Sequence, residues 1–89
     1  MILLISYDLN RHERPSAYEK IRSIIEKNAE DAVKPMYSQW LVKTSLTCDA
    51  WMELLQPDID GNDRVLIVRV QLPYQGWLDP EHWDWLNSQ

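Results

Sequence analysis

The chain is poor in cysteine and in glycine, and both shortages narrow what it can do. Cys48 is the one cysteine among 89 residues, so no internal disulfide can close and no multi-thiolate metal site can assemble. Gly61 and Gly76 are the only glycines, and Ser38 and Ser45 stand in no Gly-x-Ser-x-Gly elbow. A glycine-rich phosphate cradle is therefore excluded, and acyl-enzyme chemistry has little support. Basic residues are outnumbered, nine Lys and Arg against fourteen Asp and Glu, for a formal net charge of -5. Such a field opposes general attraction to nucleic acid or to anionic membrane, so either ligand would require a local basic patch or a metal. The N-terminal MILLISYDLN lacks the basic leader and small-residue cleavage site of a signal peptide and carries Ser6 and Asp8. It reads as a buried strand, with no membrane span and the cytoplasm as the expected compartment.

What is present points to an ordered domain: 45% of the residues are hydrophobic and 26% charged. The length suits one domain, residues 1–89, with a modest core. Residues 2–8, branched and aromatic, predict a first strand, followed by the polar loop NRHERP. Ser16 with Glu19 three residues on has the form of a capping box, and Tyr18, Ile21, Ile24 and Ile25 make one apolar stripe, predicting a helix over 16–28. Pro35 marks a short edge strand, and after a bend near Tyr37 and Ser38 a better strand runs over 40–43. Thr47 caps a second helix that buries Trp51, Leu54 and Leu55 and is stopped by Pro57. The turn around Gly61 and Asn62 leads into the strand RVLIVRVQL. A Trp-rich tail, residues 73–89, closes the chain, with Asp79 and Pro80 starting a short helix that carries Trp83 and Leu86 inward. There is no internal repeat. Right-handed crossovers over this order predict an α+β fold, a ferredoxin-like βαββαβ sandwich with a helical tail.

Both faces of the sheet are apolar. Leu66, Val68, Val70 and Leu72 alternate with Val65 and Ile67, and Leu3, Ile5 and Tyr7 alternate with Ile2 and Leu4. Two helices cover only one face. The other needs the tail or a second subunit, because a bare face of this content exceeds what a small monomer tolerates. The expectation is a sheet-to-sheet or edge-extended homodimer, with the tail folding back as the alternative. Trp40, Trp51, Trp77, Trp83 and Trp85 suit either, being residues of interfaces as well as cores.

Asp8 is the leading polar candidate, since it closes an apolar strand at the end where ligands approach. Two such carboxylates brought together by a dimer would share a divalent cation, polarise a phosphate and lower the pKa of bound water. The competing reading gives Asp8 to loop backbone hydrogen bonds or a turn cap. Arg11, His12 and Arg14 follow in the loop, as phosphate contacts and, for His12, an acid or base near neutral pH, against the plainer reading of a solvated charged loop. Asp58, Asp60 and Asp63 fail as a calcium loop. Placing Gly61 sixth puts Gln56 first and Ile67 twelfth, without the required oxygens, so the segment reads as a turn. His82 has no second histidine near it in sequence and no HExxH context, and reads as a surface residue of the tail helix.

ISYDLN with its strand-end Asp8, the arginine-bearing loop, MYSQWLV and DRVLIVRV together resemble the small CRISPR-associated endoribonuclease family and its VapD-like relatives, over nearly the whole chain to Leu72. That resemblance implies a ferredoxin-like homodimer in which the strand-end aspartate binds a divalent metal, expected as Mg2+, for phosphodiester cleavage. Carried over, the metal and catalytic roles fall on Asp8, with Ser38 as a site neighbour. The chain departs from the family in its net acidity, with few basic residues near the loop and first helix, among them Arg11, Arg14, Lys20 and Arg22, and in its Trp-rich tail. Two functions stand side by side at this point: a magnesium-dependent endonuclease acting on RNA or DNA, and a non-catalytic dimeric assembly or regulatory protein that binds another macromolecule.

Overall fold

The computed structural model describes residues 1–9 and 15–89. In chain order the elements are β1 (Ile2–Asp8), α1 (Pro15–Asn28), β2 (Asp31–Met36), β3 (Gln39–Lys43), α2 (Cys48–Leu55), a 3-10 turn (Gln56–Asp58), β4 (Arg64–Val70) and α3 (Pro80–Asn87). The fold is α+β: one four-stranded antiparallel sheet of order β2-β3-β1-β4, accompanied by three helices.

Helix α1 starts one residue before the expected point, on Pro15. Ser16 is therefore inside the helix and is not its cap. Proline suits a first helical position because the N–H it lacks would have no acceptor there. The stripe behind it is as expected: Ala17, Ile21 and Ile25 are buried, and Tyr18 and Ile24 pack beside them. Thr47 caps α2, its Oγ1 accepting from the Ala50 N–H at 3.1 Å, and Pro57 lies in the tight turn that ends it. In β2 the pairing with β3 shifts register between Val33 and Met36, at Pro35, which has no donor for the ladder. Strand β4 stops at Val70. Leu72, expected in that strand, lies beyond it and before Pro73.

Register sorts the side chains onto two faces, since directly paired residues share a face. Leu3, Ile5 and Tyr7 stand with Val42, Trp40, Ile67 and Val65 on the front. Here α1 and α2 contribute Ile21, Ile25, Trp51 and Leu55, and the cluster is almost wholly closed to solvent. Its polar atoms are paired: the Trp51 Nε1–H donates to Thr44 Oγ1 at 3.1 Å, and the Trp40 Nε1–H donates to the Tyr7 hydroxyl at 3.0 Å. Burial pushes the Tyr7 phenol above its ordinary pKa, and the bond from Trp40 pulls the other way.

On the reverse face Leu4 stands with Leu41 and Val68, and Ser6 with Gln39 and Leu66. The tail folds onto this face. Leu41 and Leu86 are buried, and Leu4, Leu41, Trp83 and Leu86 line one common groove. The Trp85 Nε1–H donates to Asp31 Oδ2 at 2.9 Å, tying α3 to the start of β2. The cover stops short of the β4 edge, where Leu66 remains 63% exposed. No helix among the described residues is long and apolar enough to cross a membrane.

Candidate functional site

Asp8 ends β1, exposed, with reverse-face parity and Arg64 opposite it in the ladder. A strand of alternating apolar residues must end where its side chains reach water, and a carboxylate there meets solvent without desolvation cost. Arg64 turns away from it: its Nη1 donates to the Asp63 carbonyl at 2.8 Å and to the Gly61 carbonyl at 3.3 Å. Among the described residues no hydrogen bond or ion pair holds the Asp8 carboxylate, which borders a shallow hollow shared with Ser6, Arg64 and Leu66. The competing reading, in which Asp8 accepts from the backbone of the loop after it, falls on residues 10–14 and lies outside the described residues.

Ser38 sits at the same end of the sheet, in the turn between β2 and β3, and its carbonyl accepts from the Tyr7 N–H at 3.0 Å. Asp8, the residue after Tyr7, therefore lies at the same end of the sheet as Ser38. Arg11, His12 and Arg14 lie outside the described residues.

The acidic run after α2 is a turn, as its spacing indicated. Asp60 Oδ1 accepts from the Asn62 N–H at 2.8 Å, and Asp63 Oδ2 accepts from the Asp60 N–H at 2.9 Å. Asp63 is buried in making that bond. Both carboxylates thus spend oxygens on their own backbone, the usual work of aspartate in tight turns.

His82 differs from expectation. It is half-buried, and its Nδ1 is shut from water with no hydrogen-bond partner among the described residues. With Asp79 and Glu81 it forms the one group of three potential metal ligands among the described residues, their ligand atoms within 4.8 Å of one another. The three come from a single stretch at the start of α3, and two of them are exposed. Asp8 belongs to no such group within one chain.

Sequence reasoning missed the residue whose exposure is most unusual. Trp83, expected to face inward, and Trp85 are half-buried, and the Trp83 ring stacks on Tyr74 with centroids 6.4 Å apart. Trp77 is 99% exposed. It is one of the residues lining the apolar groove between tail and sheet, of about 340 Å³. Its position directly after Gly76, in a Pro- and Gly-punctuated segment without periodicity, was the available signal. Leu66, Val68, Leu72 and Trp77 are all exposed large apolar residues of β4 and the segment following it.

Comparison with known proteins adds no name to this geometry: no family model matches the chain, and no curated protein sequence matches it.

Proposed function

We propose that the chain is a ferredoxin-like assembly protein that works as a homodimer and holds a further macromolecule in place. The fold reading is supported by the succession of two β-α-β halves and by a central β1 flanked by β3 and β4. The observation that carries the function is the uncovered apolar strip along β4 and the segment after it: Leu66, Val68, Leu72 and Trp77. A protein of this size rarely leaves such a strip wet unless something binds it. Sedimentation velocity on the full chain over a concentration series tests this reading. A dimer is expected, shifted toward monomer by Leu66→Lys with the circular dichroism unchanged; a monomer at every concentration would reject it.

One observation favours a second reading, the metal-dependent phosphodiesterase of the CRISPR-associated endoribonuclease type. Asp8 carries an exposed carboxylate, with no partner among the described residues, beside Leu66 on the face that a dimer would close. Two copies meeting there would bring two Asp8 carboxylates to one seam, a hard oxygen donor set of the kind Mg2+ takes. The ion would supply charge for the phosphate and acidify a bound water, Ser38 would stand at the same end, and Arg11 or Arg14 would hold the phosphate. Asp8→Asn is then expected to abolish Mg2+-dependent cleavage of RNA or DNA while the dimer persists. Cleavage at the parent's rate removes Asp8 from the chemistry.

A further inference from the structure

The first turn of α3 departs from an ordinary helix start in three respects. Asp79 holds the N-cap position, yet its side chain accepts no capping hydrogen bond, which is what aspartate there usually does. His82 has its Nδ1 closed to water with no hydrogen-bond partner among the described residues, although buried polar atoms in folded chains are nearly always paired. No Lys or Arg follows Arg69 in the sequence, and among the described residues Asp79 and Glu81 enter no ion pair. The ligand atoms of Asp79, Glu81 and His82 nevertheless lie within 4.8 Å of one another. Attraction to the positive end of the helix accounts for the two carboxylates, but it gives His82 Nδ1 nothing to bond. A bound cation meets all three departures at once.

We infer that Asp79, Glu81 and His82 form a zinc site that fastens the start of α3. One imidazole and two carboxylates are a donor set that Zn2+ takes, with a fourth position left to water. Mg2+ is the poorer match, because it prefers oxygen ligands and gives up its water reluctantly. The two carboxylates outweigh the roughly half unit of positive charge at the helix start. A tetrahedral zinc ion spaces its ligand atoms roughly 3.3–3.5 Å apart, so these three close in by about an ångström on binding. Asp79 and Glu81 are exposed and make that adjustment by side-chain rotation; the half-buried His82 ring turns so that Nδ1 meets the ion. All three ligands come from four consecutive residues, so the site is complete within one chain and depends neither on the homodimer nor on Asp8. Its consequence is mechanical. The same helix buries Leu86 and reaches Asp31 through the Trp85 indole at 2.9 Å, so an ion that fixes its first turn holds the tail on the sheet.

The test is calorimetric titration of Zn2+ into the full, chelator-stripped chain. One equivalent per chain is expected to bind. His82→Gln and Asp79→Asn, which leave the helix start intact by circular dichroism, are each expected to raise the dissociation constant about 10-fold or more, the least that loss of even a supporting partner of a metal ligand costs. His12→Gln is the control, since His12 is the other histidine of the chain, and it is expected to keep the parent's affinity. A second measurement on the parent needs no variant to fold: in nitrogen NMR, Zn2+ is expected to shift the ring nitrogens of His82 and not those of His12, and to slow amide exchange along α3. A parent that takes up no Zn2+ at millimolar concentration overturns the site. So does binding that survives His82→Gln at the parent's affinity, or a zinc-induced shift confined to His12.

Discussion

The two faces of the sheet carry similar side chains and meet different fates. On the front, Leu3, Ile5 and Val42 are sealed beneath α1 and α2. On the reverse, Leu41 is sealed by the tail while Leu66 on the same face stays largely wet. Pattern does not explain the difference, since both faces alternate cleanly. Coverage does: two helices lie across the front, whereas on the reverse the tail meets β2, closes over Leu41 and leaves the β4 edge at Leu66 bare.

If the front is the true core, truncation there must cost most. Trp51→Ala, at a fully buried site, is expected to lose about 3–5 kcal/mol in urea unfolding. Leu41→Ala beneath the tail is expected to lose less, about 2–3 kcal/mol, because the residue already borders an open groove and fewer packed contacts are lost. Equal losses would break the comparison and make the two faces equivalent cores. Thr44→Val keeps the shape but strips the Trp51 Nε1–H and the Leu46 N–H of their shared acceptor; about 1–3 kcal/mol is expected. Leu66→Lys sits at the far end of the scale. It is expected to change monomer stability by no more than about 0.5 kcal/mol while weakening association, and a large stability loss would mean that β4 is covered within the monomer.

The front face also sets a pH response. With its pKa raised by burial, Tyr7 favours the neutral phenol in the folded chain. Its contribution is intact below the unfolded value of about 10 and is lost as pH rises through the higher folded value. Urea midpoints are therefore expected to fall above about pH 10, and less steeply in Tyr7→Phe.

Local rules were readable where one signal acted alone: the Thr47 cap, the bend at Tyr37 and Ser38, Pro35 at the edge, Asp79 before Pro80. Signals that competed were misread. Ser16 and Glu19 imitate a capping box, but Pro15 is itself a favourable first residue and moves the helix start. Leu72 continues the alternation of β4, yet Pro73 after it cannot extend the ladder. Asp8 and Ser38 drew notice because a carboxylate and a hydroxyl at strand ends interrupt an apolar run, and their role rests with the reading proposed above. Trp51 and Trp83 were legible as inward because each stands in a helical stripe, whereas Trp77 stands in a segment without periodicity that gives no sign of which way it faces.

The polar tie between Trp85 and Asp31 closes a span of 54 positions. That tie is exposed to water, so the tail is expected to lift before the helices on the front face unfold. Lifting bares Leu41 and dismantles the groove. Any partner seated there therefore binds only the docked state and tightens the tail by mass action, so that occupancy of the groove is read out as amide-exchange protection along α3.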